Sequence, residues 1–295
     1  MAFILEDEFG DIIAKARRGL ALTVGRVATE SGIAAKDISQ MENYTKKPSR
    51  DEVDKIASTL QLDSKKLNAI ATESWSPKTI ETKYDPALEV ITITAKVGGY
   101  PVHAYLLICT TTREAAIIDT AANPQTIMDR IDKININPKL ILLTHAHGDH
   151  ANGLQDLEDA LNCPTWIHAN EPKPRSQNDL QLLRHGDIIS VGNLKIKTLD
   201  TPGHTPGSTC FSTGNFLFSG DTLFPGGPGR SKSPEALAEI INSITTKLFS
   251  YPDQVEVLPG HGVTTTLGIS KKDHSVFASK EHPADLSGDV TWLES

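Results

Sequence analysis

The chain has 295 residues, 38% of them apolar and 22% charged, which suits about two globular domains and excludes a disordered or low-complexity protein. Its formal net charge of −8, from 29 Lys and Arg against 37 Asp and Glu, excludes a surface that grips nucleic acid over its whole extent, because phosphate binding needs a local excess of cations. Three cysteines (Cys109, Cys163, Cys210) without C-x-x-C spacing, an N-terminus that turns acidic after Phe3-Ile4-Leu5, and no apolar run of membrane-spanning length lead us to expect a cytoplasmic protein with no membrane partner.

From Glu8 to about Thr72 apolar residues recur at helical spacing: Phe9, Ile12, Ile13 and Ala16, then Val24, Val27 and Ala28, then Ile38 and Met41, then Val53, Ile56, Ala57 and Leu60. Breakers separate the pieces. Ser31-Gly32 ends one helix, Asn43 to Pro48 ends another, and Ser49 followed by Glu52 is a capping-box start. The pattern predicts five short helices. Phe9 to Ala71 resembles the phage-repressor (Xre-type) helix-turn-helix domain, through Val27-Ala28-Thr29-Glu30-Ser31-Gly32-Ile33, Ile38-Ser39-Gln40-Met41-Glu42-Asn43 and Val53-Asp54-Lys55-Ile56-Ala57. The resemblance implies a DNA partner, with the helix from about Ala35 to Glu42 in the major groove, Lys36 and Gln40 facing bases, and Lys46, Lys47 and Arg50 holding phosphates. Against a DNA reader stand 11 Lys and Arg versus 12 Asp and Glu in residues 1–75, and the apolar Val24 where the family often has a polar, phosphate-contacting residue. A structural or dimerising role for the same fold is the competing expectation.

Two prolines and no periodicity between about Ser74 and Pro86 place a boundary there, giving domains 1–75 and 76–295. Beyond it, Leu88 to Val97 alternates as a strand, His103 to Thr110 and Ala115 to Asp119 read as further strands, Pro124 to Ile134 as a helix and Lys139 to Leu143 as a buried strand. Asn152 to Leu161 and Pro234 to Leu248 read as helices, with strands near Thr165, Ile188, Lys195, Cys210, Phe216 and Val255. Strands paired at first and later alternating with helices predict α/β sheets covered by helices.

After the apolar run Leu140 to Leu143 comes Thr144-His145-Ala146-His147-Gly148-Asp149-His150. Imidazole nitrogen and carboxylate oxygen are ligands that Zn²⁺ and Fe²⁺ accept, and a loop leaving a strand can turn several of them to one point. Two metals need more ligands than this stretch offers. Downstream, Asp200-Thr201-Pro202-Gly203-His204-Thr205-Pro206-Gly207-Ser208, Ser219-Gly220-Asp221-Thr222-Leu223-Phe224 and Pro259-Gly260-His261-Gly262 each place a ligand-type side chain on a Gly/Pro turn after an apolar run. A His beside Gly is, taken alone, more often a turn residue than a ligand. Four such sites together reverse that balance.

In that order the four motifs resemble metallo-β-lactamase-fold hydrolases, and most closely the glyoxalase II (hydroxyacylglutathione hydrolase) branch, over about residues 80–270. The resemblance implies an αββα sandwich behind the small all-α domain, with metals at one edge. It assigns His145, His147 and His204 to one metal, Asp149, His150 and His261 to a second, and Asp221 to both, so that Asp149 and Asp221 are the carboxylates of the catalytic centre. The implied cofactors are two divalent ions, Zn²⁺ first and Fe²⁺ second, and the implied substrate is a small acyl ester or thioester. Metal coordination brings the pKa of water from roughly 16 to about 7, so a hydroxide held between two ions is a nucleophile at neutral pH.

True β-lactamases of this fold usually lack the bridging carboxylate, which disfavours β-lactam hydrolysis. The Gly-rich segment Gly220 to Arg230 implies a loop beside the metals, with Arg230 meeting a substrate carboxylate. The 34 residues after His261 are fewer than the helical glutathione-binding part of longer glyoxalase II enzymes would need. Persulfide dioxygenases resemble the same pattern but hold one Fe²⁺ with two His and one Asp, here His145, His204 and Asp221. A DNA-binding regulator whose metal domain senses is the alternative from another class, and a homodimer is the base-rate assembly. Cys210 reads as a buried small residue rather than a ligand. His103, His168, His185, His274 and His282 match no ligand motif and read as ordinary surface or partly buried residues, with His168, after a strand, the one closest to a functional position.

Overall fold

The computed structural model describes residues 8–74, 85–97, 100–279, 281–290 and 292. Five helices come first: α1 (Phe9–Gly19), α2 (Val24–Ser31), α3 (Ala35–Glu42), α4 (Arg50–Thr59) and α5 (Ser64–Ala71). Their ends lie where the breakers predict. Thr23 Oγ1 caps α2 through the Arg26 N–H, Gly32 closes it at φ 71°, and Ser49 and Glu52 form the reciprocal capping box of α4. The apolar faces converge on one core that includes Phe9, Ile13, Val27, Ile38, Met41 and Ile56. Arg17, nearly buried, holds Glu42 through two hydrogen bonds of 2.6 and 2.7 Å and so ties α1 to α3. The expected boundary falls mostly on residues 75–84, outside the described residues.

Two six-stranded sheets follow. The first runs β1 (Leu88–Val97), β2 (Tyr100–Cys109), β3 (Glu114–Ile118), β4 (Asn137–Leu142), β5 (Thr165–His168) and β6 (Gln181–Leu183). β1 and β2 form a long hairpin with Leu88 opposite Cys109, β2 pairs antiparallel with β3, and β3 to β6 are parallel. The crossovers carry α6 (Pro124–Ile134), then α7 (Gly148–Ala151) and α8 (Leu154–Leu161). The second sheet is ordered β14-β13-β10-β9-β8-β7, from β7 (Ile188–Val191), β8 (Leu194–Asp200), β9 (Thr209–Thr213), β10 (Phe216–Gly220), β13 (Glu256–Pro259) and β14 (Thr265–Thr266). A small ribbon, β11 (Leu223–Phe224) with β12 (Gly227–Pro228), and the helices α9 (Pro234–Ser243) and α10 (Leu267–Ala278) complete the fold.

Alternation along the strands builds the layers. On β2, Tyr105, Leu107 and Cys109 face the second sheet, where they meet Phe211, Phe216 and Phe218, while Leu106 and Ile108 face the helix layer of Ile127, Ile131, Leu154 and Leu157. The outer face of the second sheet packs Leu217 and Val257 against Leu237, Ile240 and Trp292. The result is an αββα sandwich. Beyond α10 the chain returns to the body: Ser231 and Gly288 exchange backbone hydrogen bonds of 3.0 Å, and Asp289 lies 3.8 Å from Arg18 of α1.

Two local readings are corrected. The segment after His147 is not loop throughout, because Gly148–Ala151 makes one helical turn; Asn152 then interrupts it, and α8 begins at Leu154 with Gly153 in the left-handed region at φ 85°. Pro234 to Leu248 is an α-helix only to Ser243 and continues as a π-turn over Ile244–Leu248, closed by the Phe249 N–H on the Ile244 carbonyl. α10 and the two-residue strands β11, β12 and β14 carry too little periodic signal to be read in advance. Among the described residues no helix is long and apolar enough to cross a membrane.

The capping box gives a pH prediction. The Lys46 ammonium first, and then the Ser49 N–H, hold the Glu52 carboxyl at about 2, below its ordinary 4.5. A depressed carboxyl stabilises the fold above its unfolded value, and that contribution is lost as pH falls from about 4.5 towards about 2. Glu52→Gln should flatten this acid limb in a far-UV circular-dichroism titration of the full chain. Identical acid transitions would show that Glu52 adds nothing.

Candidate metal centre

The centre is assembled from strand ends. His145 and His147 follow β4, Asp149 and His150 lie on α7, His204 follows β8, Asp221 follows β10 and His261 follows β13. Since β10 and β13 are parallel and β8 is antiparallel to β9, itself antiparallel to β10, these three strands deliver their carboxyl ends to one edge of the sandwich. The sequence-assigned ligands all meet there. Donor atoms of His145, His147, His204 and Asp221 lie within 4.8 Å of one another, and those of Asp149, His150 and His261 form a second group of the same compactness.

The distances have the scale of ion coordination. Four donors placed roughly 2.0–2.1 Å from a tetrahedral ion stand about 3.3 Å apart. In the first group His147 Nδ1 is 2.9 Å from His204 Nε2, and Asp221 Oδ2 is 3.4 Å from His204 Nε2 and 3.8 Å from His145 Nε2. In the second, His261 Nε2 is 3.3 Å from both His150 Nε2 and Asp149 Oδ2. Asp221 turns its other oxygen, Oδ1, to within 3.2 Å of His150 Nε2, so one carboxylate faces both groups.

Hydrogen bonds on the far side of each ring fix which nitrogen looks inward. His204 Nδ1 donates to the Arg230 carbonyl at 2.9 Å and His261 Nδ1 to the Pro101 carbonyl at 2.7 Å. His150 Nδ1 donates to Asp119 Oδ2 at 2.9 Å. His145 Nδ1 lies 3.1 Å from Thr144 Oγ1, which itself donates to Asp119 Oδ2 at 2.7 Å. Asp119 therefore orients rings of both groups. The inward His145 Nε2 is left buried with no hydrogen-bond partner, and Asp221 Oδ1 is buried and makes no hydrogen bond although His150 is near. Orphaned buried acceptors of this kind need an explanation, and divalent ions fit them. A close backbone approach adds to the fit: a Cβ at Gly260 would stand 2.4 Å from both Asp221 Oδ1 and His150 Cε1, so only glycine leaves room beside them.

Charges agree with that purpose. Burial pushes the His145 imidazole well below its ordinary pKa, and burial with nearby His204 lowers His147, keeping both in the neutral, ligating form. Burial also opposes charge on His150, but Asp221 and Asp119 outweigh it and raise His150 well above its ordinary value. For Asp221 burial works upward, and the neighbouring His150, raised and charged, overcomes it to hold the carboxyl well down. The centre thus sets the two carboxylates Asp149 and Asp221 beside the neutral imidazoles of His145 and His147.

Other expected residues lie elsewhere. Arg230 stands exposed at a cleft of ≈ 470 Å³ beside the centre, lined also by His147, His204, Ser231, Lys232, Ser287 and Gly288. Lys36, exposed, and Gln40, half-buried, lie on α3, about 100 residues before His145 in sequence, on a helix whose Ile38 and Met41 belong to the apolar core of the five-helix unit. Lys46 is engaged by Asp37 at 3.1 Å and Glu52 at 2.5 Å, and Lys47 by Glu73 at 3.4 Å. Cys210 is a buried strand residue, as expected.

Sequence reasoning passed over Asp119, which directly follows β3 without Gly, Pro or His beside it, and the bracing role of His103. That ring accepts from Thr94 Oγ1 at 2.9 Å and donates through Nε2 to the Gly262 carbonyl at 2.7 Å, while the His103 N–H donates to the Gly260 carbonyl at 2.8 Å. With Tyr105, whose hydroxyl donates to the Pro259 carbonyl at 2.6 Å, it holds the loop that carries His261. No ligand spacing marks either residue.

The family model of the Metallo-beta-lactamase superfamily matches residues 97–267. Hydroxyacylglutathione hydrolase GloC of Haemophilus influenzae is 30% identical over 189 residues, 57% of this chain and 89% of its own. Among solved structures, TTHA1623 in a di-iron-bound form is 29% identical with a TM-score of 0.54, over 61% of this chain and 97% of that one. BLEG-1 B3 metallo-beta-lactamase is 26% identical with a TM-score of 0.56, over 64% and 100%.

Because Asp119 sets two rings, Asp119→Asn should weaken Zn²⁺ binding about 10- to 100-fold in competition with a chromophoric chelator. An unchanged affinity would mean that packing alone orients His145 and His150.

Proposed function

From the premise that the chain belongs to the metallo-beta-lactamase superfamily, we propose that it is a two-metal hydrolase of thioesters or related small acyl esters, with Zn²⁺ first and Fe²⁺ second as its ions. The observation that carries this reading is Asp221, which offers one oxygen to each imidazole group. His145, His147 and His204 would hold one ion, Asp149, His150 and His261 the other, with Asp221 shared. Bound there, two divalent ions supply Lewis acidity and a water that ionises near neutral pH.

The chain's own groups do the rest. His150 lies between Asp119 and Asp221, so Asp119 would hold the proton on its Nδ1 and leave Nε2 as the atom that faces an ion. Arg230 and Lys232 give the cleft two cations and no carboxylate among its lining residues, which supports an acyl substrate with an anionic end. The Arg230 carbonyl fixes His204 while its side chain stands at the cleft, so substrate grip and ligand position meet in one residue. The kinship with a hydroxyacylglutathione hydrolase supports the thioester class.

We also read residues 1–75 as a separate helix-turn-helix-type domain. Support comes from the three-residue connection between α2 and α3 with Gly32 at φ 71°. The carboxylates already paired with Lys46 and Lys47 weigh against a DNA-reading role.

Elemental analysis of chain purified without chelators should find two zinc or iron ions, and S-D-lactoylglutathione should be cleaved by wild type while Asp221→Ala loses at least about 100-fold in kcat/KM. One iron per chain, no thioester cleavage and oxygen uptake with a persulfide would replace this reading by the mononuclear dioxygenase.

A further inference from the structure

Glu171 lies in the loop after β5, its own N–H donating to the His168 carbonyl at 3.0 Å. Its side chain is used up by three donors from two other loops. Oε1 accepts from the Ala146 N–H at 2.9 Å, and Ala146 stands between His145 and His147. Oε2 accepts from Thr205 Oγ1 at 2.7 Å and from the Gly207 N–H at 2.9 Å, one and three residues beyond His204. A Cβ at Gly207 would come within 2.4 Å of the Glu171 backbone nitrogen and 2.6 Å of its Cα, so the glycine is what lets the two loops close on each other.

The two loops leave strands of different sheets, β4 of the first and β8 of the second. They also meet across the centre, where His147 Nδ1 approaches His204 Nε2 at 2.9 Å and the His145 ring stands edge-on to that of His204 with centroids 4.9 Å apart. A carboxylate bridging their backbones fixes that separation. The second group is braced by other means, His150 by Asp119 and His261 by the Pro101 carbonyl.

We infer that Glu171 is a positioning residue dedicated to the first ligand group, a carboxylate clamp that sets the spacing of His145, His147 and His204 without itself being a ligand. The inference rests on the proposed metal centre and divides it: Asp119 serves rings of both groups, whereas Glu171 reaches only the loops of the first. Loss of Glu171 therefore loosens one ion and spares the other, which a general loss of stability would not do.

The test is a Co²⁺ titration of the full chain, followed through the visible bands of the bound ion and checked by chelator competition with Zn²⁺. Wild type should take two ions. Glu171→Ala should keep one at wild-type affinity and bind the other at least about 10-fold more weakly. Glu171→Gln, which keeps one acceptor oxygen and the shape of the side chain, should recover part of the loss and serves if the alanine variant fails to fold. Two ions bound as in wild type, or both weakened alike, would overturn the assignment of Glu171. Should wild type hold a single ion, the two-metal reading falls, and Glu171 stands only if Glu171→Ala weakens that ion at least tenfold.

Discussion

The Asp221 carboxylate is buried among imidazoles that arrive from several strand ends, and the fold is arranged around making that burial tolerable. An ionised carboxylate taken out of water costs several kcal/mol unless charge and hydrogen bonds compensate it. Here the compensation comes from the imidazoles and from Asp119 behind them. His150 leans on Oδ1, His204 and His145 face Oδ2, and Asp119 anchors the His150 ring from behind. Remove the imidazoles and the carboxylate would be unsupported; remove the carboxylate and the imidazole nitrogens would converge on nothing.

Such a cluster cannot be built within one helix or hairpin, because its members span residues 145–261 and come from both sheets. The sandwich solves this by bringing strand ends to a common edge, where each chain reversal carries one or two of the candidate ligands. The layers behind are ordinary hydrophobic packing, with Phe211, Phe216 and Phe218 between the sheets. Rigidity at the edge then comes from far-side hydrogen bonds, most of them to backbone carbonyls or to carboxylates that bind no ion themselves.

Legibility in the sequence followed local density of information. Helix caps were readable because Ser49 and Glu52, or Gly32, act within one turn of the backbone they satisfy. Strands such as Leu88–Val97 announced themselves by composition and alternation, and the candidate ligands by His and Asp beside Gly or Pro. What stayed hidden acts at long range. Asp119 reaches His150 across 31 positions, Glu171 reaches Gly207 across 36, and His103 reaches Gly262 across 159. No periodicity encodes such partners, since each lies in a segment whose local pattern is that of an unremarkable loop or strand. The one-turn helix at Gly148–Ala151 escaped for a related reason: four residues are too few for a helical period.

The strip of chain after α10 lies outside the part that matches the family, yet it has two neighbours of consequence. On one side Ser287 and Gly288 wall the cleft, and on the other Asp289 reaches Arg18 while Leu286 lies against Gly19 of α1. On the proposed reading, selectivity and reactivity would be written in different stretches of sequence. Ligand loops answer to the geometry of coordination and tolerate little drift, whereas this strip can vary in length or charge and remodel what the cleft admits. Divergence among chains of this build should accordingly accumulate at the gate and not at the hearth.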